Sequence, residues 1–322
     1  MSASAPRVSV AVSTYQRKDR IARLIDALGK QSLSPTDFEV VVYDDASTDG
    51  TLALLRALAE STPFALRVVP GERNRGPASG RNVAWREGGA PVVAFTDDDC
   101  VPAPGWLAAG IAALEDPAVG VVVGKVEPAP DQAGNLGPFA RTLRVDDARF
   151  FATANCFYRR DLLEAAGGFD ERFRSAAGED TDLGLRVQEG GARPIFVTEA
   201  LVHHDVRPSE WSSAAREAWR KWLDLALVVR KHPQIRGDLL WGHVFWKKEH
   251  ALLLLAAAAV ASAWTYPETL VAVVPYLYRK LRTAPISSGY GALTSLPGAI
   301  ALDALEVGAM VRSSARYHCL IL

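Results

Sequence analysis

Short apolar runs alternate with stretches of helical periodicity over the first hundred residues of this chain. Four runs rich in valine and other strand-forming residues show no helical period, which is typical of buried strands. They are residues 7–14, 38–43, 65–70 and 92–95. Between the first two runs, apolar residues recur at helical spacing at Ile21, Leu24 and Leu28. Strands that alternate with helices predict an α/β fold, with a mostly parallel sheet flanked by helices.

The alternation becomes less regular after residue 102. We expect short strands at residues 119–126, 155–158, 195–197 and 201–202, the last of which ends at His203 and His204. We expect helices at residues 106–114, 161–166 and 183–188. Residues 128–138 are rich in turn-forming residues and predict a loop.

Residues 209–322 change in character and predict a largely helical region. Residues 211–231 show an amphipathic pattern, and residues 293–310 predict a further apolar helix. An uncharged run of 14 residues at 251–264 is interrupted by Pro267 and continued by residues 270–277. This run is shorter than the ~20 residues that span a bilayer. Aromatic and basic residues flank it, as at a membrane interface. We therefore expect an apolar hairpin that either contacts the inner leaflet of a membrane or packs against the rest of the chain.

Composition and charge narrow the classes of function. The net charge of −1 gives the chain no overall attraction to nucleic acid. The part from Arg207 onward is basic, with 14 Lys or Arg residues against 8 Asp or Glu residues. The three cysteines form no CxxC pair, so they indicate neither a disulfide framework nor a zinc site. The first residues lack the pattern of a signal peptide. We therefore expect a cytoplasmic protein, peripheral on the membrane if the hairpin contacts lipid.

Polar residues follow the predicted strands of the first hundred residues. Tyr15 follows the first strand, Asp44 and Asp45 end the second, and the acidic triplet 97–99 follows the fourth. Ligands of parallel sheets bind at the carboxyl ends of the strands. Three adjacent carboxylates at the end of a buried strand are costly unless a cation neutralises them, although a solvated acidic turn is the simpler alternative. Carboxylate oxygens suit Mg²⁺ or Mn²⁺.

Seven segments together carry a family likeness. They are VSVAVSTYQR at 8–17, VVVYDDASTDGT at 40–51, NRGPASGRNVA at 74–84, FTDDDCVPAPGWL at 95–107, GGFDERF at 167–173, GEDTDLGLRV at 178–187 and VHHDVRP at 202–208. In this order and spacing they resemble the inverting glycosyltransferases of family 2. The resemblance implies a GT-A fold, which is Rossmann-like, and a catalytic domain at residues 1–208. Its nucleotide-sugar half would cover about 1–102 and its acceptor half about 103–208, before the helical region at 209–322.

The resemblance assigns a set of donor-binding residues. Ser13, Tyr15 and Asp45 would hold the base and ribose of a nucleoside-diphosphate sugar, since a tyrosine face can stack on a base and a carboxylate accepts hydrogen bonds. Gly76 would let the backbone approach the nucleotide, and Arg81 would contact it with its rigid fork of donors. The simpler alternatives are that Tyr15 packs on the core and that Arg81 is a solvated residue near a helix start.

The same resemblance implies a metal site. Asp97 and Asp99 match the D-x-D motif, in which the first acid reaches ribose or metal and the second binds the divalent ion. His204 matches a histidine that completes the metal site in several members, and Asp98 would be structural. Strand alternation sends His203 and His204 to opposite faces, so only one of them can face the ion.

The catalytic base is expected in the Glu179-Asp180 pair. By resemblance, Asp180 removes the proton from the acceptor hydroxyl, on the face of the sugar opposite the leaving group. Asp182 and Glu179 are competing candidates. Helix N-terminal capping is the structural alternative for these acids, because carboxylates favour that end of a helix.

Other functions fit the residues less well. A sugar-1-phosphate nucleotidyltransferase needs a glycine-rich segment after the first strand, and residues 12–19 contain no glycine. A phosphatase of the D-x-D type needs its nucleophile at the end of the first strand. A non-catalytic GT-A module that binds without transfer is the third alternative. The expected partners are a nucleoside-diphosphate sugar and an acceptor hydroxyl on a glycan, a lipid carrier or a secondary metabolite.

Overall fold

The computed structural model describes residues 5–132, 139–140, 142–206, 210–283 and 292–322. These fall into two compact units. The first consists of Met1–Gln132 and Thr142–Val206, and the second of Ala133–Arg141 and Arg207–Leu322. Residues 133–138 of the predicted loop at 128–138 lie outside the described residues.

The described part of the first unit contains one eight-stranded sheet. Its strands are β1 (Val8–Thr14), β2 (Phe38–Asp44), β3 (Ala65–Pro70), β4 (Val92–Phe95), β5 (Cys100–Pro102), β6 (Val119–Pro128), β7 (Cys156–Arg159) and β8 (Arg193–His204). The strand order is β3-β2-β1-β4-β7-β6-β8-β5. The pairs among β1 to β4 are parallel, as is the β6–β8 pair, whereas β7 runs antiparallel to β4 and β6, and β5 to β8. The predicted α/β architecture is confirmed, and the sheet is mixed in its second half.

Helices follow most strands of this unit. They are α1 (Lys18–Leu28), α2 (Thr51–Ala59), α3 (Pro77–Glu87), α4 (Trp106–Ala113), α5 (Arg160–Ala165) and α6 (Glu179–Glu189). Helix α1 buries the predicted stripe of Ile21, Leu24 and Leu28. Helix α3 begins with Pro77, whose fixed φ and missing N–H suit the first helical position. Short 3₁₀ turns occur at Pro130–Gln132 and Thr153–Asn155.

The central strands are buried on both faces, as their uninterrupted apolar sequence predicts. All four residues of β4 are buried, and so are the valines of β1 and β2. The edge strand β3 is partly exposed instead. Because β1, β2 and β4 run parallel, the polar residues that follow these strands lie at one edge of the sheet.

Strand β5 was not expected from the sequence, and it decides the geometry of that edge. Its three residues pair antiparallel with the end of β8, so that Cys100 lies opposite His204. The two short strands expected at 195–197 and 201–202 are one continuous strand, which pairs with β6 across a register shift at Gly124/Lys125. The register of β5 against β8 places the acidic triplet beside the end of β8.

The second unit is helical. Its helices are α7 (Trp211–Lys221), α8 (Leu225–Lys231), α9 (Ile235–Leu239), α10 (Lys248–Ser262), α11 (Val274–Thr283) and α12 (Ala292–Tyr317), with a 3₁₀ helix at Pro267–Val273. The amphipathic stretch 211–231 therefore forms two helices rather than one. The predicted apolar helix at 293–310 extends to Tyr317. One helix among the described residues, Thr294–Tyr317, is long and apolar enough to cross a membrane.

Ion pairs hold α12 to its neighbours in this unit. Asp303 accepts a hydrogen bond from Tyr276 Oη at 2.8 Å and lies 2.5 Å from Lys280 Nζ. Glu306 pairs with Lys247 at 2.5 Å and with His250 at 3.1 Å. The two carboxylates of α12 are thus buried with cationic partners on the chain that precedes it.

The predicted apolar hairpin corresponds to α10, the 3₁₀ helix and α11. Many of its apolar side chains are exposed: Trp264 is 98% exposed and Val271 is 74% exposed. The other large exposed members are Leu254, Leu255, Val260, Tyr266, Leu270, Val274, Tyr278 and Leu281. We call this set, together with Trp264 and Val271, the hairpin patch.

Candidate active site

Arg81 joins two acidic segments that are distant in sequence. Its side chain extends from α3 and is buried. Nη2 donates to Asp97 Oδ1 at 2.8 Å, and Nη1 donates to Glu179 Oε1 at 2.7 Å. Burial alone would lower the pKa of Arg81, but the charges of Asp97 and Glu179 raise it above its usual value. The guanidinium therefore stays charged and connects the acids after β4 with the start of α6.

Helix α3 lies unusually close to β1. A Cβ atom built on Gly80 would lie 2.1 Å from Ser13 Oγ, so only glycine fits at this contact. The close approach brings Ser13, which is half-buried, to the same edge as Arg81. Gly76, just before the helix, has a φ of +89°, a conformation that favours glycine.

Asp45 is buried and holds the loop that leads into α3. Its carboxylate accepts hydrogen bonds from the backbone N–H of Arg75 at 2.9 and 3.1 Å and from that of Gly76 at 2.9 Å. The sequence predicted direct contact with base or ribose for this acid. In the structure its carboxylate positions the loop that carries Gly76, and these backbone bonds occupy part of its acceptor capacity.

A polar cavity of about 330 Å³ adjoins this loop. It is lined by Arg73, Asn74, Arg75, Glu171 and Arg174. The three guanidinium groups outnumber the single carboxylate, and Arg75 Nη2 donates to Glu171 Oε2 at 2.9 Å. The cavity suits a ligand that offers hydrogen-bond acceptors or negative charge.

Tyr15 follows β1 and is 44% exposed. The alternative that its ring packs in the core does not hold. Nearly half of the residue is accessible at the edge where β1, β2 and β4 end.

Asp98, the middle acid of the triplet, is held from two sides. Its Oδ2 accepts a hydrogen bond from Thr14 Oγ1 at 2.7 Å, and its Oδ1 lies 3.4 Å from Arg17 Nε. Burial, together with the charge of Asp99, raises the pKa of Asp98 to about 6 despite the opposing effect of Arg17.

Asp99 and His204 are brought together by the pairing of β5 with β8. Asp99 Oδ1 lies 3.4 Å from His204 Nε2, and both groups are shielded from solvent. His204 Nδ1 lies 2.7 Å from the carbonyl oxygen of Asp205. A carbonyl only accepts, so this bond assigns a proton to Nδ1, and in the neutral ring the lone pair is then on Nε2, on the side of Asp99.

This donor set fits a divalent cation. A carboxylate oxygen and an imidazole nitrogen converge, and a backbone carbonyl holds the other ring nitrogen, as is usual for metal-binding histidines. Cys100 Sγ belongs to the same group of potential ligands, all within 4.8 Å of one another, because Cys100 lies opposite His204. Burial raises the pKa of the Cys100 thiol well above its usual value, which disfavours the thiolate as a ligand. Asp97 lies outside this group, and its Oδ1 is bonded to Arg81.

His203 is separate from this group. It lies opposite Val101 rather than Cys100, and successive side chains of a strand point to opposite faces. Its Nδ1 is buried and has no hydrogen-bond partner within the described part of the chain.

The three acids at the start of α6 differ in environment. Asp182 is fully buried and is bound by Arg186 Nε at 3.0 Å and Nη2 at 2.9 Å. Glu179 is buried against Arg81, and its second oxygen has no partner among the described residues. Burial, and next the charge of Asp180, raise the pKa of Glu179 to about 7, which outweighs the opposing effect of Arg81. Asp180 is half-buried, and its Oδ1 accepts a hydrogen bond from the Thr181 N–H at 2.7 Å.

Sequence reasoning missed a cationic face of α1. Arg17, Arg20 and Arg23 recur at three-residue spacing and reach the acids at the ends of β4 and β8. Arg20 Nη1 lies 3.9 Å from Asp99 Oδ2, and Arg23 Nη1 donates to Asp205 Oδ1 at 2.7 Å. The signal was available, since arginines three apart share one face of a helix.

Comparisons with known proteins identify the family. The sequence matches Glycosyl transferase family 2 over residues 9–167 and Glycosyl transferase family group 2 over residues 92–281. The chain belongs to glycosyltransferase family 2. This confirms the family and the enzyme class predicted from the seven segments.

Two relatives illustrate the range of the family. The glycosyltransferase AglE of Haloferax volcanii is 26% identical over 216 residues, which cover 65% of this chain and 70% of AglE. Validoxylamine A glucosyltransferase of Streptomyces hygroscopicus subsp. limoneus is 29% identical over 271 residues, which cover 73% of this chain and 59% of that protein. The chain thus spans about three-fifths of the length of the second relative.

Solved structures confirm the GT-A fold. The mannosyltransferase PcManGT from Pyrobaculum calidifontis, in complex with GDP-Man and Mn²⁺, superposes with a TM-score of 0.61 at 24% identity, over 96% of this chain and 87% of that one. Residues 1–349 of TarS from Staphylococcus aureus, in complex with UDP, superpose with a TM-score of 0.52 at 22% identity, over 97% of this chain and 92% of that one.

Proposed function

We propose that this glycosyltransferase is inverting and metal-dependent, and that it moves a sugar from a nucleoside diphosphate to an acceptor hydroxyl. The observation that carries the proposal is the Arg81 bridge. It connects Asp97, which follows a strand of the parallel half, with Glu179, which adjoins Asp180. Donor-side and acceptor-side acids therefore converge at one edge of the sheet.

The donor would lie across the ends of β1, β2 and β4. We assign contacts with its base and ribose to Tyr15, Ser13 and Asp97, and contacts with its phosphates to Arg81. Asp45 contributes by fixing the loop at Gly76, beside the arginine-lined cavity. The complexes of structural neighbours with GDP-Man and UDP support a nucleoside-diphosphate donor.

Asp99 and His204 would hold the cation, with Asp97 as a further ligand after a shift from Arg81. When bound, a divalent cation neutralises negative charge on the departing nucleoside diphosphate. Carboxylate oxygen suits both Mg²⁺ and Mn²⁺, whereas an imidazole nitrogen favours the transition-metal ion Mn²⁺. The Mn²⁺ in the PcManGT complex makes it the first ion to test.

Asp180 is the proposed general base. The acceptor hydroxyl would pass its proton to the Asp180 carboxylate while its oxygen bonds to the sugar carbon and the nucleoside diphosphate departs from the opposite face. Glu179 and Asp182 are buried and Asp180 is half-buried, so Asp180 is the most accessible of the three.

Binding and turnover test these roles separately. GDP and UDP are titrated by calorimetry with and without Mn²⁺, in the wild type and in Asp99→Ala. We expect Mn²⁺ to strengthen binding in the wild type, and the substitution to abolish that gain. Equal affinity in all four measurements would contradict the metal site.

Asp180→Asn is compared with the wild type in the metal-dependent hydrolysis or transfer of sugar nucleotides. We expect nucleotide binding to be unchanged and kcat to fall at least ~10²-fold, the scale of general-base catalysis. A wild-type rate in Asp180→Asn would assign the base elsewhere. The absence of any turnover in the wild type across sugar nucleotides would favour a non-catalytic module.

We further propose that the hairpin patch contacts the inner leaflet of a membrane. In sequence, the exposed apolar side chains lie between the basic segments 247–248 and 279–282. Lys247, Arg279 and Lys280 pair with carboxylates of the same unit, so the exposed apolar area is the main support for lipid contact. A lipid-linked acceptor would explain such contact, and the three free cysteines are consistent with a cytoplasmic location.

A further inference from the structure

We propose that Asp205 is a positioning residue that sets the tautomer and the orientation of His204 towards Asp99. The proposal rests on the metal site proposed above. It concerns a residue that follows the strand end and is itself no ligand.

The backbone of Asp205 contacts both members of the pair. Its N–H donates to the carbonyl oxygen of Asp99 at 2.9 Å. Its own carbonyl oxygen lies 2.7 Å from His204 Nδ1. One peptide segment therefore fixes the distance between the strand end and the acid, and also decides which ring nitrogen carries the proton.

The side chain of Asp205 anchors that backbone. Its Oδ1 accepts hydrogen bonds from Arg23 Nη1 at 2.7 Å and from Gln132 Nε2 at 2.9 Å. Its Oδ2 lies 4.0 Å from Arg20 Nε, and the side chain is 8% exposed. Helix α1 and the turn at Pro130–Gln132 thus hold the carboxylate from two sides.

Gln132 fastens the same segment a second time. Its Oε1 accepts a hydrogen bond from the backbone N–H of Val206 at 2.6 Å. The backbone is therefore held on both sides of the Asp205 carbonyl. Before it, His204 pairs with Cys100 of β5, and after it, the Val206 N–H is bound by Gln132. The carbonyl cannot turn away from His204 without breaking these contacts.

The chemical consequence concerns the lone pair on Nε2. With Nδ1–H bonded to the carbonyl, neutral His204 offers Nε2 as an acceptor for a cation beside Asp99. Without that bond, the ring also adopts the tautomer protonated on Nε2, which cannot bind a cation through the nitrogen that faces Asp99. Loss of the group that orients a metal-binding histidine typically costs 10–100-fold in metal affinity.

The test uses the full chain without nucleotide and reads two quantities. Two-bond ¹⁵N–¹H correlation spectra report the tautomer of His204, whose signals are assigned by their loss in His204→Gln. Electron paramagnetic resonance of free Mn²⁺ reports the metal affinity. For Asp205→Ala we expect loss of the pure Nδ1–H pattern and a 10–100-fold weaker Mn²⁺ affinity. Asp205→Asn keeps an acceptor for Arg23 and Gln132, so a smaller change is expected.

The control and the remaining variants keep the test decisive. Asp26 lies on α1, like Arg23, and Asp26→Ala breaks an exposed ion pair with Lys30 at 2.6 Å, so this variant should change neither readout. If Asp205→Ala does not fold, Gln132→Ala and Arg23→Gln each remove one anchor and should shift both readouts in the same direction. An unchanged tautomer in the folded variants would overturn the proposal, whatever happens to affinity. A tautomer change in a protein whose wild type binds no Mn²⁺ would support the positioning role and contradict the metal site.

Discussion

At the scale of single residues, Arg81 and Glu179 dominate the electrostatics of the site. A buried guanidinium is shared between two carboxylates on different elements, and one of these carboxylates has a raised pKa. Because these groups are shielded from water, each depends on its partners more than a surface pair would.

Arg81→Lys is expected to destabilise the protein, although it keeps the charge. A lysine ammonium lacks the planar fork that reaches Asp97 and Glu179 together, so one buried carboxylate loses its donor. We expect a loss of about 1–3 kcal/mol in the free energy of unfolding, measured by urea titration. Arg67→Lys is the control. Arg67 lies on β3 and pairs at 3.2 Å, in an exposed setting, with Glu87, which is on the same helix as Arg81. Equal effects of the two substitutions would contradict the prediction.

Glu179→Gln should change how stability depends on pH. The folded state raises the pKa of Glu179 from 4.5 to about 7, so it favours the protonated form. The protonated Glu179 carboxyl therefore contributes its full share to the free energy of unfolding below pH 4.5, and this contribution is lost as the pH rises through about 7. Glutamine does not titrate, so the melting temperature of the variant should rise relative to the wild type between pH 5 and pH 8. Parallel melting curves across this range would show that Glu179 is ionised normally.

At the scale of elements, the site depends on two close approaches. One is the antiparallel register of β5 on β8, which sets Cys100 opposite His204. The other is the contact of α3 with β1 at Gly80, which brings the Arg81 helix to the strand ends. Both are packing relations between segments far apart in sequence.

Gly80→Ala should lower the free energy of unfolding, although alanine has the higher helix propensity. Alanine is favoured over glycine by about 1 kcal/mol inside a helix. The new Cβ would lie 2.1 Å from Ser13 Oγ and 3.0 Å from the Tyr43 ring, and such overpacking costs about 1–3 kcal/mol. Gly237→Ala in α9 is the control, because nothing lies nearer than 3.9 Å to its new Cβ. Urea titration should show a lower midpoint for Gly80→Ala only, and Ser13→Ala should restore part of the loss.

At the scale of the whole molecule, the two units use charge and apolar surface differently. In the first unit, acidic and arginine side chains lie together at one edge of the sheet, and the apolar side chains are buried in the core. The second buries ion pairs between α12 and the preceding helices, while the hairpin patch stays exposed. The element most suited to lipid contact is therefore the hairpin, and α12 is tied to its own unit by Asp303 and Glu306.

Vesicle flotation distinguishes these elements. The full chain should float with anionic vesicles at low and at high salt, because apolar burial persists when charge attraction is screened. Trp264→Asp combined with Val271→Asp should abolish flotation at high salt. Val311→Asp alters an exposed apolar residue of α12, which is 50% exposed, and should leave flotation unchanged. Loss of flotation in Val311→Asp alone would assign membrane contact to α12.

The sequence by itself determined most elements of the first unit, and it indicated the family to which the chain belongs. Runs such as 92–95 encode buried strands because their apolar content has no helical period, and the acids that follow them mark the strand ends. These signals depend on residues close together in sequence, so they can be recognised without knowledge of the fold. The position of Asp97 and Asp99 at the end of β4 was predictable for that reason, by the rule for parallel sheets, whereas Asp180 was selected by its motif alone.

Only the tertiary structure decided which of these residues meet. Neither the strand β5 nor its register on β8 is visible in three residues of sequence, yet that register brings Asp99 to His204 rather than to His203. The Arg81–Glu179 bridge joins residues 98 positions apart, and Asp182 is buried in an ion pair with Arg186. Such pairings depend on long-range packing and burial, which periodicity and composition do not record, because the free energy of a buried charge is set by neighbours that the fold alone supplies.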